Sequence, residues 1–110
     1  MITYYRLDKD KNAIPCSMEE LTDSFLEYHI VKQEDVGDKW ISTVFLSIDY
    51  NWNAEKDRKP LIFETMIRDT PTGSWNDYQA RYSTYQEALD GHNAVVEKLK
   101  KGLSLDDNQN

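Results

Sequence analysis

At 110 residues the chain has room for one domain, and a content of 39% hydrophobic and 12% aromatic residues excludes a disordered polymer. Twenty acids against 13 bases give a net charge of −7, a poor balance for gripping phosphate backbones directly. Cys16 stands alone, which excludes an internal disulfide and a cysteine-based zinc knuckle; neither a secretory signal nor a membrane span is expected.

Residues 2–7 are β-prone and run into a turn composition at residues 8–12, and Pro15 closes any extension. Ser17 and Glu20 have capping-box spacing ahead of Met18, Leu21, Phe25 and Tyr28, one apolar stripe of a helix over residues 18–28. The opposite face of that helix carries Glu19, Glu20, Asp23 and Glu27. The surrounding window, residues 19–38, holds seven acids and one base, Lys32.

A weak strand at residues 30–36 precedes the strongest one, residues 40–49. There one face is nearly all apolar (Trp40, Ser42, Val44, Leu46, Ile48) and the other mixed (Ile41, Thr43, Phe45, Ser47, Asp49), the pattern of a central strand with one face on the core. Strands at residues 61–67 and 78–82 flank a turn at residues 69–74, and Trp52 and Trp75 fall in polar loops. Ser83 and Thr84 both offer capping boxes to a last helix. Its stripe is Tyr85, Ala88, Leu89, His92, Val95, Val96 and Leu99, and Gly102 supplies its C′ residue. The order predicts an α+β domain over residues 1–102, a twisted, mainly antiparallel sheet of about four strands with two helices on one face. Residues 103–110 are expected to be a disordered tail.

Several side chains invite a chemical reading. Glu64 lies mid-strand, and folding the hairpin symmetrically about Thr72 and Gly73 sets it opposite Arg81, as a structural ion pair or an acid held in a pocket. His92 points toward the sheet, as a satisfied core histidine or as a base or metal ligand beside Glu64 or Asp49. No spacing motif ties these three to a metal, so no metal and no cofactor is expected. Cys16 before a helix N-terminus reads as an ordinary boundary cysteine, with His29 too far along to activate it. Scattered glycines make a phosphate loop absent.

Residues 40–50, 60–67 and 81–92 contain Ser42-Thr-Val-Phe-Leu-Ser-Ile-Asp-Tyr50, then Leu61-Ile-Phe-Glu-Thr-Met66, then Arg81-Tyr-Ser-Thr-Tyr-Gln-Glu-Ala-Leu-Asp-Gly-His92. They resemble a family of small uncharacterised bacteriophage and prophage proteins with the pattern S-T-V-F-L-G-x-D-H, L-F-E-T-M and R-Y-S-T-x-x-E-A-x-x-G-H. The resemblance spans most of residues 40–92 and carries Asp49, Glu64, Arg81 and His92 as matching positions. Two positions depart from it: Ser47 stands where the pattern has Gly, and Tyr50 where it has His. Were that histidine a ligand or base, this chain would lack it.

The resulting expectation is a phage-encoded accessory protein in the host cell cytoplasm that binds another protein in host takeover or in blocking a host defence system. Its partner would be a host or phage protein, including a nucleic-acid-binding enzyme, met through Glu19, Glu20, Asp23, Glu27, Trp52 and Trp75. The alternatives are a small enzyme or ligand-binding protein built on Asp49, Glu64 and His92, and a minor virion component.

Overall fold

The computed structural model describes residues 4–20, 29–48 and 59–105. Strands β1 (Tyr4–Leu7) and β2 (Ala13–Cys16) pair as an antiparallel hairpin. Strands β3 (Ile30–Val36), β4 (Lys39–Phe45), β5 (Phe63–Asp69) and β6 (Trp75–Tyr82) form an antiparallel meander in that order, and helix α1 (Tyr85–Lys100) lies across it. The α+β class and the four-stranded sheet are as the sequence pattern predicts.

Local chemistry explains most boundaries. Asp8 turns the first hairpin, its carboxylate accepting from the Asp10 and Asn12 amides at 2.9 Å each. β2 is a strand that the sequence reading missed, because Pro15 looked like a stop. In a two-stranded hairpin Pro15 opposite Tyr5 need not donate to a further neighbour. Ser17 and Glu20 form the expected capping box, at 3.1 and 3.2 Å, for a helical turn at residues 18–20; the remainder of that helix, residues 21–28, lies outside the described residues. Thr84, rather than Ser83, is the N-cap of α1, reciprocating with Glu87. At the other end Gly102, at φ +71, donates to the Leu99 carbonyl while Leu103 donates to Lys98, the paired bonds of a Schellman stop.

Two expectations are corrected. The core side of β4 is its mixed face: Ile41, Thr43 and Phe45 are buried under α1, whereas Trp40 and Val44 are only partly buried on the side away from it. The helix brings a histidine that needs a polar partner, and the mixed face supplies Thr43. Also, Leu105, placed in a disordered tail, packs against the cluster of Ile41, Ile67, Val95 and Val96, since the glycine stop turns the chain back over the helix end.

The core has three layers. Leu7, Phe45, Ile62, Phe63 and Ala88 pack at the start of α1, and Ile41, Ile67, Val95 and Val96 pack farther along it. Between them, Thr43, Thr65 and His92 make a buried polar layer.

Two backbone positions yield expected outcomes. Gly91 faces the Tyr82 ring so closely that an added Cβ would lie 2.4 Å from it. Gly91→Ala, normally a gain in a helix interior, is therefore expected to destabilise by about 1–3 kcal/mol in urea unfolding. Ser47 adopts φ +71, and among the described residues its buried hydroxyl has no hydrogen-bond partner. Ser47→Gly removes both penalties and is expected to raise stability by about 1–2 kcal/mol in the same measurement.

Candidate functional site

Each strand of the large sheet sends one polar side chain toward His92. Its Nε2 lies 2.7 Å from a Glu34 carboxylate oxygen on β3, and its Nδ1 lies 2.7 Å from the Thr43 hydroxyl on β4. Thr43 continues to Thr65 on β5 at 2.5 Å, and the Tyr82 hydroxyl on β6 donates to Thr65 at 3.1 Å. An ionised carboxylate can only accept, so Nε2–H donates to Glu34 and Nδ1 is left as an acceptor. The chain then has one consistent direction: Tyr82 donates to Thr65, Thr65 to Thr43, Thr43 to His92, and His92 to Glu34.

The electrostatics agree with a neutral ring. Burial pushes the His92 pKa below its ordinary value, with Glu34 pulling the other way. Burial opposes ionisation of Glu34 too, but the bond from His92 and the charge of Lys32, 3.5 Å away, outweigh it and hold that carboxyl low. Burial raises the Tyr82 phenol, which stays protonated and able to donate.

A carboxylate, an imidazole and a hydroxyl in series have the membership of a nucleophilic triad. Access decides against that role. Thr43, Thr65 and His92 are each 0% exposed, so no reacting carbonyl or phosphoryl group can reach the threonine oxygen. A cleft lined by Asp10, Lys11, Asn12, Thr84, Tyr85 and Gln86 lies at the beginning of α1, not beside His92.

Glu64 pairs with Arg81 across the strands, as the symmetric hairpin predicts, with Arg81 Nε 3.1 Å from a carboxylate oxygen that also accepts from Gln79. It is an ion pair on the sheet. Successive strand residues point to opposite faces, and Thr65 faces His92, so Glu64 lies on the far side. The sheet thus separates Glu64 from His92, and among the described residues the two do not share the pocket that the alternative, chemical reading requires. Asp49 lies outside the described residues, as do Trp52, Asp23 and Glu27. Among the described residues no three His, Cys, Asp or Glu side chains form a group able to hold a metal ion. Glu20 is occupied by Ser17 and lies 3.7 Å from Arg6, while Glu19 is exposed. Cys16 is half-buried, and burial together with Glu20 pushes its thiol pKa up, the opposite of activation.

Trp75 begins β6 rather than sitting in a loop, because the turn ends at Ser74. Its ring centroid is 6.2 Å from that of Trp40, and the Arg68 guanidinium lies 4.6 Å from Trp40 and 5.5 Å from Trp75. The cross-strand register places Trp40, Arg68 and Trp75 in one row on the side of the sheet away from α1. Neither Trp40, Arg68 nor Glu34 was singled out from sequence. The signal for Arg68 and Trp75 was available in the hairpin, but a bulge between Met66 and Arg68 shifts the symmetric pairing there.

No family model, no curated protein and no solved structure matches the chain. No described helix is long and apolar enough to cross a membrane.

The direction of both shifts fixes a pH dependence. A histidine with a depressed folded pKa stabilises fully above its unfolded value of about 6.5, and that contribution is lost as pH falls through the folded value. The depressed Glu34 carboxyl adds a second loss below about pH 4.3. The unfolding midpoint is therefore expected to fall on acidification below about pH 6.5. His92→Gln, which keeps a donor and an acceptor without titrating, should flatten the upper part of that slope. His92→Leu should lower stability by about 2–4 kcal/mol at neutral pH, since Glu34 and Thr43 lose their partner.

Proposed function

We propose that this protein is a bacteriophage- or prophage-encoded accessory protein that acts in the host cytoplasm by binding another protein, in host takeover or in blocking a host defence system, with no catalysis of its own. The single observation carrying this reading is Trp75, 51% exposed on a sheet face that no described helix covers. A large aromatic held half open beside a second tryptophan and an arginine has the composition of an interface anchor. The closed state of the His92 layer supports the same reading, because the side chains with chemical potential are used internally. The phage context comes from the resemblance in residues 40–92, to which the fold adds one consistent detail. Position 47, where the pattern carries glycine, has a backbone conformation that favours glycine.

Affinity capture from host lysate, with Trp75→Ala and Thr43→Val compared, tests it. Loss of the captured partner with Trp75→Ala and retention with Thr43→Val is the expected outcome. The opposite pattern in folded variants would replace this reading with a chemical one.

A further inference from the structure

The edges of the large sheet are poorly suited to receiving another strand. β3 is irregular between Ile30 and Lys32, and β6 bulges opposite the step from Met66 to Arg68. Contact is thereby directed to the face, and at the Trp75 corner the chain itself displays what these rings accept. The Arg68 guanidinium lies against both indoles, and half of Trp75 remains open beyond that contact.

The charge around this corner has one sign to spare. Lys39 is taken by Asp69 at 2.6 Å and lies 3.7 Å from Asp38, and Arg68 is engaged with the rings. Asp35, opposite Trp40 in the register, and Asp77, two residues along β6 from Trp75, are both exposed. A cation approaching Trp75 therefore meets a π face with Asp77 on the same strand, while Asp35 stands three strands away, about 14 Å, at the other end of the row, within a chain of net charge −7.

We propose that Trp75 and Asp77 at this sheet corner receive an arginine side chain from a basic segment of the partner protein, with Asp35 at the far end of the same row facing a second basic residue of that segment. The inference rests on the protein-binding reading and names the partner's chemistry. Arginine is favoured over lysine because its planar, weakly hydrated guanidinium stacks on an indole while its edge donates to carboxylates. Nucleic acid is disfavoured because its phosphates would face the same acids.

The test titrates the protein with an octa-arginine peptide, an octa-lysine peptide and a single-stranded oligonucleotide, read by calorimetry and tryptophan fluorescence. The arginine peptide should bind about tenfold more tightly than the lysine peptide. Trp75→Ala should remove that difference, and Asp35→Asn with Asp77→Asn should weaken both peptides. Equal affinity for the two peptides, no effect of Trp75→Ala on the arginine preference, or preference for the oligonucleotide would overturn the inference. If any of these occurs while Trp75→Ala still abolishes capture of the lysate partner, the protein-binding reading stands and only the arginine assignment falls. If Trp75→Ala leaves that capture intact, the broader reading falls as well.

Discussion

The structure depends on one buried imidazole finding both of its partners. His92 is 0% exposed, and an unpaired ring nitrogen there would cost more than most single apolar contacts supply. Thr43 and Glu34 satisfy it from two strands, and Thr65 and Tyr82 extend the bonds across the sheet. This polar layer lies between two apolar clusters, so it sets the position of α1 along the strands. Displacing the helix by one turn would put the imidazole against Ile or Phe and leave two threonines without their chain of bonds. An all-apolar seam would tolerate such slippage. The layer thus contributes register specificity beyond the roughly 1 kcal/mol expected of each neutral bond.

Satisfying that layer also divides the sheet into two dissimilar sides. Beneath α1, the described side chains Thr43, Thr65 and His92 are closed off and paired with one another. On the other side, Glu64 is folded under Gln79 and Arg81, and the row of Trp40, Arg68 and Trp75 ends in an exposed indole. The molecule resembles an enzyme site in the membership of its buried chain and a recognition surface in its exposed face. Access, rather than residue type, separates the two roles.

Several features are local and were legible as such. The capping boxes at Ser17 and Thr84 and the stop at Gly102 depend on residues within a few positions of one another. The Glu64–Arg81 pair is almost as local, because a hairpin folded about Thr72 and Gly73 sets its partner by counting. The position of His92 on the buried stripe followed from helical spacing. Its acid did not: Glu34 lies 58 residues earlier on an edge strand with a weak pattern of its own. The β2 strand was concealed by Pro15, whose missing amide matters only if another strand lies beyond it.

The amino-acid sequence by itself determined the α+β class, the chemistry of the described helix ends, the strand periodicities and the burial of the imidazole, since each follows from period and neighbouring chemistry. Only the tertiary structure decided which face of β4 meets the helix, which carboxylate reaches His92, and that Trp40, Arg68 and Trp75 form one row. Alternation states which residues share a side of a strand, and says nothing of what packs on that side. That choice was made by a helix 40 residues farther along, whose histidine required Thr43 in place of a more apolar surface.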